Sequence, residues 1–200
     1  MPSSSLLRLG GLAALVGGGL VVIFELVGFV SSLLETDPFG SNQYTRYLFY
    51  ILSVLSLFGE ALIMLGLVGL YVRQLQSVGI IGLVAFLLAF FGMALGVGVE
   101  DINWAAGSAA YLGWALFGVV SLRSRVYPRV ASILLCISAL LAGAFNPLYV
   151  LLIIGPPGSP GSDLIFVGLA ASVVVNITVA WLGSTLFFVS EREPRLRSSN

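Results

Sequence analysis

The sequence predicts an all-α protein: a polytopic transmembrane bundle of six helices with both termini cytoplasmic. Three observations predict it. Of the 200 residues, 58% are hydrophobic and 9% charged, with a mean hydropathy of +1.07, whereas soluble domains carry roughly 25% charged residues. Apolar runs of about 20 residues recur, long enough for helices to cross the hydrocarbon core and far too long for barrel strands. The arginines gather in alternate connections, as the positive-inside rule requires of a chain crossing the membrane repeatedly.

The first helix is expected over 9–30, after the single Arg8. Its apolar run is longer than the core of a cleaved leader and no clear small-x-small site follows, so it reads as a retained span. Gly11, Ala14, Gly18, Val21, Glu25 and Gly28 form one stripe, small and then acidic, suited to close approach of a neighbouring helix. A polar loop from Ser31 to Asn42, with Pro38 and Gly40, leads to the second helix, 45–72. After a short return at Arg73–Ser77 the third helix, 78–99, carries Gly82, Ala85, Ala89, Gly92 and Gly96 on one smooth face.

Glu100, Asp101 and Asn103 make an acidic turn before the fourth helix, 104–122. Arg123, Arg125 and Arg129 surround Pro128 ahead of the fifth, 130–154, where Asn146-Pro147 is expected to kink or interrupt the helix. A turn-rich loop, Gly155 to Asp163, precedes the sixth helix, 164–190, and residues 191–200 form a short cytoplasmic tail. The whole chain, 1–200, is expected to be a single transmembrane domain.

With six spans, Arg8, Arg73, Arg123, Arg125, Arg129, Arg192, Arg195 and Arg197 fall on one side and only Arg46 on the other, which makes both termini cytoplasmic. The expected location is the plasma membrane of the cell, as a multi-pass protein. The even-numbered helices share short words, Met64-Leu65-Gly66, Tyr111-Leu112-Gly113 and Trp181-Leu182-Gly183, each followed by an arginine. Such spacing describes three helical hairpins in one orientation, unless three matches in Leu/Gly-rich sequence arise by chance.

Composition removes much chemistry. There is no histidine, which excludes imidazole metal sites and Ser-His or Cys-His catalytic pairs. All nine basic residues are arginine, so lysine chemistry is absent, and the lone Cys136 can form no internal disulfide. Net charge is zero with no basic block, which argues against a nucleic-acid partner. No cofactor motif is present.

Glu60 is the leading site residue, set in the middle of the second helix, roughly 20 Å from both Arg46 and Arg73 at about 1.5 Å per residue. A carboxyl at that depth costs on the order of 3 kcal/mol on insertion scales, so it should face protein or a water cavity. Ser53, Ser56, Met64 and Tyr71 share its stripe. It reads either as a group that binds a proton or cation, or as a neutral hydrogen-bonding group that locks helices.

Asn176, with Ser172 and the hydroxyls of Thr178, Ser184 and Thr185, marks the sixth helix at nearly the same depth. It reads either as a second site residue or as an interhelical hydrogen bond, and the two readings merge if Glu60 is its partner. Glu25 reads as the second acid of a relay, or as a group that reaches the outer interface or pairs with Arg46. The acidic turn is solvated rather than metal-binding, since its spacing matches no calcium loop. Tyr111 and Trp114 read as a cavity lining or as packing. Ser56 with Glu60, four residues apart, is the one pair a membrane hydrolase could use, and no catalytic residue is assigned.

The run Leu112 to Ala142, through Gly113, Trp114, Gly118, Arg123, Pro128 and Arg129, resembles a passage in uncharacterised bacterial integral membrane proteins of about six helices, a domain of unknown function. The resemblance implies the six-helix fold and no catalytic residues.

The expectation is therefore a small-solute or proton-coupled transporter-like protein using Glu60 at mid-membrane, with Asn176, Ser56, Ser53 and Glu25 as supporting residues and neither cofactor nor metal. The competing class is a non-transporting accessory, sensor or assembly protein in which Glu60 and Asn176 are interhelical contacts. The lipid bilayer is the principal partner. Association with a second copy or a membrane partner is expected through the Gly92/Gly96 face.

Overall fold

In a computed structural model, residues 4–33, 43–98, 103–153 and 162–197 are described. They form five helices and, among the described residues, no strand: α1 (Ser4–Leu33), α2 (Gln43–Gly98), α3 (Asn103–Ser124), α4 (Arg129–Ile153) and α5 (Ser162–Arg197). Four of them are long and apolar enough to cross a membrane, within Ser4–Val30, Arg46–Gly96, Ala105–Ser124 and Val167–Val189. A shorter apolar stretch, Arg129–Phe145, lies in α4. The loop tips carrying Glu35, Pro38, Gly40, Glu100 and Asp101, and most of the 155–163 loop, fall outside the described residues.

The expected return at Arg73–Ser77 is itself helical, and the chain reverses at one residue. Gly79 adopts φ 55° and ψ −150°, a region open in practice only to glycine. That single break divides the 56-residue α2 into two arms, before and after Gly79, which fold back on each other. Tyr71 of the first arm stacks on Phe86 of the second with ring centroids 4.7 Å apart.

α4 runs from Arg129 to Ile153, close to the expected 130–154, and is not interrupted at Asn146-Pro147. One boundary differs from expectation. α5 runs through the charged stretch after Ser190 as far as Arg197, so most of the expected tail is helical.

The α3–α4 turn is short and well defined. Arg125, at φ 55°, takes the left-handed conformation that commonly ends a helix, and its N–H donates to the Ser121 carbonyl at 3.0 Å. Pro128 then opens α4, its carbonyl accepting from the Ser132 N–H at 3.1 Å. Four residues between helices leave them antiparallel neighbours.

Packing runs as a ring: first arm of α2, α1, α5, α4, α3, second arm of α2. Small residues set the crossings. A Cβ added at Gly10 would lie 2.7 Å from the Gly69 Cα, and one at Gly66 would lie 2.6 Å from Ala14, which joins α1 to the first arm. The Gly113 and Ala89 backbones meet as closely between α3 and the second arm. Of the three repeated words, the glycines of the first two thus touch the preceding helix, while Gly183 packs on Gly11 and Leu15 of α1 instead. Any repeat in the sequence is broken in the packing at its third copy.

Candidate functional site

The ring is solid at one end and hollow at the other. At the end holding Arg8, Arg73 and the α3–α4 turn, Leu67, Leu70, Phe117, Leu135 and Leu182 are fully buried. The Tyr127 hydroxyl donates to the Leu70 carbonyl at 2.9 Å. Burial raises the Tyr127 phenol above its ordinary range against the opposing pull of Arg73, so it remains a donor. Gln74, also buried, accepts from Ser121 Oγ at 3.3 Å and Ser124 Oγ at 3.4 Å. Its Nε2 has no partner among the described residues. Sequence reading passed over this polar plug; the signal for it was Ser121 and Ser124, three apart at the arginine end of α3.

Toward the other end the helices enclose a cavity of about 510 Å³. Its wall includes Val21 and Glu25 late in α1, Glu60 and Ile63 in the first arm of α2, Met93 in the second, Tyr111 and Trp114 in α3, and Asn176 in α5. Among the described residues, α4 contributes none to the lining. The wall is curved and small where Gly92, Gly96, Gly107 and Ala110 approach, since Gly92 sits against the backbone of Ala110. The Gly92 face is thus covered within the chain by α3.

Four polar side chains on three helices form a chain of hydrogen bonds. Tyr111 Oη and Ser172 Oγ are 2.7 Å apart, and Ser172 Oγ in turn donates to Glu25 Oε1, which leaves Tyr111 as donor to Ser172. Asn176 Nδ2 donates to both Glu25 oxygens at 3.1 Å and to the Ser172 carbonyl at 3.2 Å. Asn176 therefore serves Glu25, not Glu60. Glu25 lies between helices with these α5 partners in place of the expected pairing with Arg46, because its position on α1 points at the α5 neighbour rather than outward.

Glu60 shares the cavity wall with Glu25, and among the described residues no group hydrogen-bonds its carboxyl. The rest of its stripe divides. Ser56 is buried and is not part of the wall, and Ser53 Oγ donates to the Phe49 carbonyl of its own helix at 2.8 Å. Tyr71 belongs to the aromatic stack with Phe86 and Phe90. On α5 the Thr178, Ser184 and Thr185 hydroxyls likewise bond carbonyls three or four residues back, at 2.7 Å each. Such local bonds satisfy a hydroxyl in lipid without a neighbour, so helical periodicity overstates the polar surface. No group of three or more metal-ligating side chains occurs among the described residues.

Chemically the arrangement offers one carboxyl fixed by donors and one without a hydrogen-bonding partner among the described residues, in a space large enough for a small molecule. Neither a family model, nor a curated protein, nor a solved structure matches this chain.

Proposed function

We propose that the chain is a membrane protein of six spans, the two arms of α2 and α4 included, that moves a small solute with a proton exchanged at Glu60. Both termini lie in the cytoplasm on this reading, since the arginine-rich end is the solid one and the lone Arg46 marks the other. The cavity then faces outward and the Leu70, Gln74 and Tyr127 plug closes the cytoplasmic side. The observation that carries the reading is the Glu60 carboxyl on the cavity wall with no hydrogen-bonding partner among the described residues. A purely structural acid in this setting is expected to be satisfied by a neighbouring helix, as Glu25 is.

The alternative is a non-transporting accessory or assembly protein. Its support is the Glu25, Ser172 and Asn176 cluster, which ties α1 to α5 as an interhelical lock does.

The test is an infrared titration of the protonated-carboxyl band in reconstituted protein, wild type against Glu60→Gln. A band that follows pH between about 5 and 9 and disappears in the variant is the expected result. A band silent across that range removes Glu60 as an exchanging group, and the accessory reading then leads. In a Cys136→Ala background, Met93→Cys should also react readily with a charged thiol reagent while Ser121→Cys stays protected; equal protection of both would describe a dry bundle.

A further inference from the structure

We infer that the cavity takes a small monovalent organic cation with an apolar or aromatic body, held by Glu60. The assignment deepens the transport reading and depends on it for its physiological role. Its chemistry comes from the wall. Among the described residues the only carboxyl groups lining the cavity are those of Glu25 and Glu60, and no arginine lines it. An anion would therefore meet two carboxyl groups and no cationic partner.

The two carboxyls are not equivalent. Glu25 already accepts from Ser172 and Asn176, so its hydrogen-bonding capacity is largely committed. Glu60 has no such donor among the described residues. A cation placed against it supplies the missing counter-charge in a partly buried setting, where charge pairing is stronger than in bulk water. A neutral polyhydroxylated solute fits poorly, because it needs several converging partners. Here the Tyr111 hydroxyl is spent on Ser172 and the Asn176 amide on Glu25.

The remaining wall suits the carbon part of such a cation. Trp114 and Tyr111 supply aromatic rings and Met93 a polarisable thioether, groups that favour organic cations over hydrated ones. Ile63 and Val21 complete an apolar face. A volume of about 510 Å³ is far larger than a metal ion requires, and a hard cation would need about six converging oxygens, which one uncommitted carboxyl does not provide.

The test is equilibrium dialysis of the purified full chain in detergent against radiolabelled benzyltrimethylammonium, with Glu60→Gln and Glu60→Asp alongside. Saturable binding is expected in wild type, displaced by the unlabelled cation and not by benzenesulfonate. Glu60→Gln should weaken it about tenfold or more, and Glu60→Asp should retain most of it. Absence of saturable binding, displacement by benzenesulfonate, or equal binding by a folded Glu60→Gln would overturn the proposal. If Glu60→Gln does not fold, the wild-type competition still decides. Failure of dialysis with a Glu60 carboxyl that still follows pH would sink the cation and spare proton exchange. Binding with a carboxyl silent to pH would do the reverse.

Discussion

The two ends of this bundle solve opposite problems with the same residue type. From the arginine end to mid-helix, glycines bring backbones into contact: a Cβ at Gly11 would stand 2.6 Å from the Phe187 nitrogen, one at Gly113 2.2 Å from the Ala89 nitrogen, and one at Gly92, on the cavity wall itself, 2.4 Å from the Ala110 nitrogen. Toward the other end the helices diverge. A Cβ at Gly143 or Gly168 would meet one side-chain carbon at 3.1 or 3.0 Å, and at Gly28 nothing within 4 Å. In lipid there is no hydrophobic force between helices, so close packing of small faces does the work of holding them, and it need not extend along their whole length. The space that results at the other is where Glu25, Glu60 and Asn176 meet.

The largest effect should come from breaking the tightest crossing. Gly113→Ala places a methyl group against backbone atoms that cannot move independently. It should cost about 3 kcal/mol or more, above the usual range for overpacking, read as loss of monodisperse protein and a sharply lowered thermal midpoint in detergent. An unchanged midpoint would mean that α2 and α3 are not in backbone contact. Next, Asn176→Ala removes the donor shared by both Glu25 oxygens and should cost about 1 kcal/mol, the scale of interhelical hydrogen bonds in membranes. In a double-mutant cycle with Glu25→Ala the coupling should be of the same order, whereas a cycle with Glu60→Ala should show much less. The reverse ranking would make Glu60 the partner of Asn176. Smallest is Gly28→Ala, where open space and a helical backbone predict stabilisation of about 0.5–1 kcal/mol. A loss there as large as at Gly113 would erase the contrast between the ends.

The sequence made parts of this legible for specific reasons. Glu60 stood out because an acid inside a long apolar run has no cheap explanation in lipid. Gly11, Gly18 and Gly92 could be read as packing residues, since small side chains at helical spacing have few other uses there. Gly79 was hidden: nothing distinguishes it from its neighbour Gly82 until the backbone shows φ 55° at one and helical continuity at the other. Ser53, Thr178 and Thr185 looked like part of a polar face, yet each donates to a carbonyl of its own helix.

Apolar length determined, from sequence alone, that the chain forms helices fit for a membrane, because a backbone in lipid must satisfy its own hydrogen bonds. Spacing determined which residues share a face of each helix. Only the tertiary structure decided that α1 lies between α5 and the first arm of α2, that Asn176 therefore answers Glu25, and that Glu60 is left facing a cavity. The physical reason is that periodicity fixes a side chain's direction about its own helix axis, while the neighbour it meets depends on close contacts between residues far apart in the chain, such as Gly18 with Asn176 and Gly66 with Ala14.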